Sequence, residues 1–168
     1  VAWSPDKVTI ATGSADSTIC LWRAQTMDPR SWEAVATLSG HAGAVRSLDW
    51  SPDGATLLSG GEDGTARIWR SFGSQGLWQE VAVISLESLA SIKAVAWNWD
   101  GTRLATGGAD ASAHVWAQSR VDPSKWELQA TFAGHSAAVR AVAWSPDGER
   151  LLTASADRTA RIWDAARQ

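Results

Sequence analysis

Tryptophan recurs in this chain at a fixed interval, and that interval constrains the fold more than any local pattern does. Trp3, Trp50, Trp97 and Trp144 stand 47 residues apart, and so do Trp22, Trp69, Trp116 and Trp163. Two columns in register define a tandem repeat, which sets the architecture before any single segment is interpreted. A looser third column, Trp32, Trp78 and Trp126, is spaced by 46 and 48 residues, as happens where a loop absorbs an insertion. Of the 12 tryptophans only Trp99 stands outside the columns, at the place where the other repeats carry Pro5, Pro52 and Pro146. A longer interval of 94 residues is sharper still: Asp28 to Glu33 (DPRSWE) is answered by Asp122 to Glu127 (DPSKWE), and Gly40 to Arg46 by Gly134 to Arg140. This points to duplication of a two-repeat unit.

Each repeat reads as four short strands. Between residues 30 and 70, Trp32 to Leu38, Ala44 to Trp50, Thr56 to Gly60 and Thr65 to Trp69 are short apolar or alternating runs. Ser51-Pro52-Asp53-Gly54 and Glu62-Asp63-Gly64 separate the last three with Asp-Gly turn chemistry. No segment has a convincing helical period, so the predicted class is all-β. A single small sheet cannot bury both faces and must stack on its neighbours, which is the logic of a propeller blade.

Composition closes off several alternatives. With 45% hydrophobic and 20% charged residues the 168-residue chain is an ordinary globular sequence. It has no apolar run near the roughly 20 residues that span a bilayer, nor a signal-peptide pattern. A net charge of −3 argues against general nucleic-acid binding. The single Cys20 has no intramolecular disulfide partner, which favours a reducing, intracellular and cytoplasmic setting. Val1-Ala2-Trp3 aligns with Leu48-Asp49-Trp50, partway along a repeat element, and the chain stops just after Trp163. A fragment is therefore expected, whose first repeat lacks its outer strand and part of its inner one, and whose last lacks its outer strand.

Further residues bring the chain to a known family. Gly40-His41 and Gly134-His135 precede the second strand of their repeats, and Asp16, Asp63, Asp110 and Asp157 occupy a tight turn. A tryptophan follows each of these aspartates by six residues, the last as Trp163-Asp164, and His precedes Asp by 22 residues in both complete cases. Over essentially its whole length the chain resembles the WD40 repeat family. Arg23, Arg70 and Ala117 replace the Asp of three Trp-Asp positions, and Ser88 stands near the place of the third repeat's histidine. The resemblance implies a WD40-type β-propeller arc of four blades, near residues 1–38, 39–85, 86–132 and 133–168. It would form a single partial propeller belonging to a ring of seven or eight blades, or pair with a second copy to make eight.

His, Asp and a hydroxyl residue together are the ingredients of a hydrolytic triad, since Thr12, Ser59, Thr106 or Thr153 lies four residues before each turn aspartate. A nucleophile needs one cleft with one oxyanion hole, whereas this set recurs blade after blade, so a hydrolase is only a remote alternative. In the family these groups form an internal hydrogen-bond relay, with each bond contributing about 0.5–1.5 kcal/mol. The resemblance thus makes His41, Ser59, Asp63 and Trp69 structural, and likewise His135, Thr153, Asp157 and Trp163. His114 and Cys20 share a column without partners at metal-ligand spacing, and His114 is expected to be a satisfied side chain between blades. Gly60-Gly61 and Gly107-Gly108 lack the following lysine or helix of a phosphate loop. No catalytic residue, metal or cofactor is expected.

A quieter column remains: Arg46, Lys93 and Arg140, 47 apart, each directly after the first aliphatic residue of its strand. In WD40 propellers that strand starts at the top rim of the central channel. The resemblance would therefore ring the rim with cations, suited to an acidic loop or phosphorylated peptide. The competing reading pairs them with local carboxylates such as Glu62. Trp99 would lie at the bottom face, either folded over its own blade or as an interface anchor. The implied function is a non-enzymatic scaffold for other proteins, with no membrane and little prospect of nucleic acid. The alternative is a structural subunit of a larger assembly, similar to WD40 members of the iron–sulfur assembly or actin-nucleating machineries.

Overall fold

A computed structural model describes all residues except 26, 27, 29, 73–75, 86–89, 123, 167 and 168. The position of Ser88 and the loop segment Met27-Asp28-Pro29 therefore lie wholly or partly outside the described residues. Among the described residues, fifteen strands and no helix make up four antiparallel sheets. The first orders β1 (Ala2–Trp3), β2 (Thr9–Gly13), β3 (Thr18–Ala24) and β4 (Trp32–Ser39). The second orders β5 (Val45–Trp50), β6 (Thr56–Gly61), β7 (Thr65–Phe72) and β8 (Leu77–Ser85). The third orders β9 (Ile92–Trp97), β10 (Arg103–Gly108), β11 (Ser112–Gln118) and β12 (Trp126–Ala133), and the fourth β13 (Val139–Trp144), β14 (Arg150–Ser155) and β15 (Ala160–Asp164).

One expectation is corrected here. The unit from residue 30 to 70 is not one sheet: Trp32–Ser39 pairs with β3, and the chain then crosses at Gly40-His41 to start the second sheet. The first sheet thus has its outer strand, and among the described residues only the fourth is three-stranded. The reason is that β4 lies antiparallel to β3 after a short loop, so pairing there closes less chain than pairing with the later strands would.

Aspartates set the turns. Asp53 accepts from the Ala55 N–H, Asp100 from Thr102, Asp16 from Thr18 and Asp63 from Thr65, each at 2.8–3.0 Å. The residue after each β2–β3-type turn aspartate is left-handed: Gly64 at φ 76°, but also Ser17 at 73°, Ala111 at 63° and Arg158 at 71°. The turn type imposes that backbone whether or not glycine is there to relieve it.

The sheets stack in chain order, with an apolar cluster between each pair. A glycine column lets them approach: a Cβ added to Gly13, Gly60 or Gly107 would sit 2.7, 2.7 or 2.6 Å from Val45, Ile92 or Val139 of the next sheet. Within a sheet the inner and outer tryptophans meet edge to face, Trp3 on Trp32, Trp50 on Trp78 and Trp97 on Trp126, at 5.4–5.5 Å. The arc does not close. Leu58 and Ile68 are 0% and 2% exposed beneath the third sheet, whereas their counterparts Leu152 and Ile162 on the last sheet are 45% and 70% exposed.

Candidate functional site

The second sheet brings His41, Ser59, Asp63 and Trp69 into one chain of hydrogen bonds. His41 enters from the crossover between sheets, Ser59 from β6, Asp63 from the β6–β7 turn and Trp69 from β7. His41 Nδ1 lies 3.0 Å from Asp63 Oδ2, Nε2 lies 2.8 Å from Ser59 Oγ, and Trp69 Nε1 donates to Ser59 Oγ at 2.8 Å. Asp63 also accepts from the Ala42 N–H at 2.9 Å and from Thr65. The carboxylate only accepts, so Nδ1 carries the ring hydrogen, Ser59 donates to Nε2, and its oxygen takes the indole N–H. The fourth sheet repeats the set: His135 to Asp157 at 2.7 Å, His135 to Thr153 at 2.8 Å, and Trp163 to Thr153 at 2.9 Å. Ser59 and Thr153 are fully buried, so neither hydroxyl faces a cleft.

Burial lowers the His41 pKa below 6.5, outweighing the attraction of the Asp63 carboxylate, so the contact is a hydrogen bond donated by a neutral ring at pH 7. For Asp63, burial opposes ionisation, but the donors Ala42, Thr65 and His41 prevail and hold it at about 2. Thr159 leads the hydrogen bonds that lower Asp157. Both His41 and Asp63 are depressed relative to the unfolded chain, so both bind fewer protons when folded. Their contribution is complete above pH 6.5 for His41 and above 3.8 for Asp63, and is lost as pH falls below each value. Scanning calorimetry is expected to give a midpoint that is flat above pH 7, declines below 6.5 and falls more steeply below 3.8, with His41→Gln reducing the first decline. A midpoint that rose on mild acidification would show the ring to be charged.

The third sheet solves the same problem differently. His114, on β11, contacts Asp110 Oδ2 at 3.0 Å through Nε2 and Thr131 Oγ1 at 3.1 Å through Nδ1, while Trp116 donates to Thr106. It is satisfied within its own sheet rather than between blades, because β11 alternation points it along the face that carries the turn aspartate and β12. The signal was available in the sequence: the third repeat gains a histidine four residues after its turn aspartate. In the first sheet Trp22 still donates to Thr12, and Asp16 has only turn partners.

The three cations at the starts of β5, β9 and β13 are not equivalent. Arg46 Nη2 meets Glu62 Oε1 at 2.6 Å, and Lys93 Nζ reaches the same oxygen at 3.4 Å. Arg46 holds the Glu62 pKa below its usual range. Arg140 is exposed and forms no ion pair among the described residues, since Ala156 stands where the second sheet has Glu62. Trp99 is 60% exposed and lies against the fourth sheet's Gly148 turn, its indole nitrogen 2.8 Å from where a Cβ at Gly148 would stand. Among the described residues no group of three His, Cys, Asp or Glu is placed to hold a metal ion, and no helix is long and apolar enough to cross a membrane.

Comparison with known proteins agrees on the architecture. No curated protein sequence matches the chain. A chain of the crystal structure titled "Crystal Structure of Mitotic Checkpoint Complex" superposes with a TM-score of 0.79 at 24% identity, covering 97% of this chain and 47% of that one. This protein thus spans about half the length of that neighbour, and with 1373 solved chains matching, the likeness speaks to fold rather than to partner. The family model described as "WD domain, G-beta repeat" matches residues 1–23, 32–70, 81–117 and 126–164. Four matched repeats, each with its column tryptophan donating to a serine or threonine hydroxyl, place the chain in the WD40 repeat family.

Proposed function

We propose that this protein is a non-enzymatic scaffold that binds an acidic or phosphorylated segment of another protein at the rim formed by the starts of β5, β9 and β13. WD40 propellers serve in general as protein-interaction platforms, and the charge balance at this rim gives the reading its direction. Arg46 and Lys93 share one carboxylate and Arg140 has none among the described residues, so the cluster keeps a surplus of positive charge. An exposed pair such as Arg46–Glu62 contributes little to stability, and a better acceptor can displace Glu62 at small cost. Arg46→Glu with Arg140→Glu is expected to weaken binding of a fluorescent acidic phosphopeptide roughly tenfold at low salt, and Glu62→Gln to strengthen it. Unchanged affinity in a variant with intact circular dichroism would rule the rim out.

A second reading, of a structural subunit, draws on the exposed faces at the two ends of the arc. Trp3 is 60% exposed where its counterpart Trp50 is 6%, and Leu152 and Ile162 are open at the other end. Further blades or a second copy would cover both faces, and two copies head to tail would total eight sheets. Light scattering on the 168-residue chain is expected to show association. A cooperative monomer would sink this reading.

A further inference from the structure

The seam between the second and third sheets holds a cavity of about 530 Å³, at the opposite end of the strands from the rim cations. Its walls include Thr56, Trp97, Gly101, Gln118 and the turn carboxylates Asp53 and Asp100. One repeat later, between the third and fourth sheets, the corresponding positions are Arg103, Trp144, Gly148, Ala165, Asp100 and Asp147, and there an arginine covers the tryptophan beside a smaller cavity of about 440 Å³. The Arg103 guanidinium lies over the Trp144 ring at 4.9 Å and donates to the Gly148 carbonyl at 2.6 Å and the Ala165 carbonyl at 2.8 Å. The protein thus covers Trp144 with an arginine of its own, whereas in the preceding seam Thr56 stands in place of that arginine and Trp97 lines the larger cavity.

Two further observations set this seam apart. The indole N–H of Trp97 is buried without a hydrogen-bond partner among the described residues, although Trp50 and Trp144 donate to the Ala2 and Ala96 carbonyls of the preceding sheet, and Trp97 itself is 8% exposed. The turn hydrogen bonds of Asp53 and Asp100 use Oδ1 of each, and neither Oδ2 has a hydrogen-bond partner among the described residues. Hydrogen bonds from Ser51 and Ala55 keep Asp53 ionised. Arg70 also lines the cavity, so the charge there is two carboxylates against one guanidinium.

We infer that this seam is a docking site for an arginine side chain of a partner protein, which would stack on the Trp97–Trp126 pair and point its guanidinium to the Gly101 carbonyl and the Asp53 and Asp100 carboxylates. The site is independent of the rim. A guanidinium fits where an ammonium does not, because a planar fork can stack on an indole while donating in its own plane.

The test follows the indole N–H resonances by NMR during titration with the peptide acetyl-Gly-Arg-Gly-amide. Saturable shifts of the Trp97 resonance are expected, at least about fivefold weaker with the lysine peptide and absent with the citrulline peptide. Thr56→Arg should fill the seam from within and abolish the shifts. Asp53→Asn with Asp100→Asn should weaken them several-fold, and this variant decides the matter if Thr56→Arg does not fold. Arg103→Ala should add the Trp144 resonance to those that move. Equal binding of the citrulline or lysine peptide, or shifts unaffected in the double Asn variant, would overturn the assignment. Arg140→Glu is expected to leave the shifts unchanged, which separates failure at the rim from failure here.

Discussion

Truncating Trp69 to alanine is expected to cost the fold about 4 kcal/mol, measured by urea unfolding. The indole is 3% exposed and belongs to the cluster with Leu38, Leu48 and Leu57 between the first and second sheets, so its removal leaves a cavity that two β-sheets cannot close by moving together. It also ends the relay, because Ser59 Oγ loses the donor at 2.8 Å. Trp69→Phe separates the two contributions. It keeps most of the ring and removes the N–H, and is expected to cost about 1–2 kcal/mol. Trp163 occupies the same column in the fourth sheet but stacks on Phe132 at 5.3 Å beneath a sheet that lacks an outer strand among the described residues, and it is only half-buried. Trp163→Ala is therefore expected to cost about half as much. Equal losses at the two positions would mean that the column, and not its local burial, sets the energy.

The repeat columns were legible because each is read several times over, and a position that recurs with the same residue needs no knowledge of its neighbours. Partner choice was less legible, since it depends on which side chains the sheets bring together. Pairing of the cations with Glu62 was foreseen from the sequence, but not that Arg46 and Lys93 would share its one carboxylate oxygen while Arg140, whose sheet has Ala156 there, would lack a counterpart. Arg103 reads locally as a strand residue after an Asp-Gly turn, and only stacking of the third sheet on the fourth puts it over Trp144. The left-handed turn positions were half visible: Gly64 announces its conformation, whereas Ser17, Ala111 and Arg158 adopt it without a signature. His114 was seen as a residue but not as the partner of its own turn aspartate, because the loop histidine of the second and fourth sheets set the expected geometry.

Asp63→Ala is expected to cost about 3 kcal/mol, more than loss of a turn aspartate normally does. Its side chain is 8% exposed and accepts from His41, the Ala42 N–H and both the N–H and the hydroxyl of Thr65, so deletion takes the acceptor from four donors, one of them on a fully buried imidazole. Asp63→Asn keeps an acceptor for Thr65 but presents an NH₂ toward the His41 N–H and the Ala42 N–H, and is expected to fall between alanine and wild type. Asp110 has two such ties, to Ser112 and His114, so Asp110→Ala should be milder. Asp16 bonds only within its exposed turn, and Asp16→Ala should be milder again. The order Asp63, Asp110, Asp16 follows the number of buried donors each aspartate satisfies. The same count says what the His-Asp-hydroxyl set is for: His41 Nε2 is committed to a hydroxyl that already holds an indole N–H inside the sheet. The group that looks like a catalytic base spends both ring nitrogens on fixing the crossover between sheets to the blade it enters.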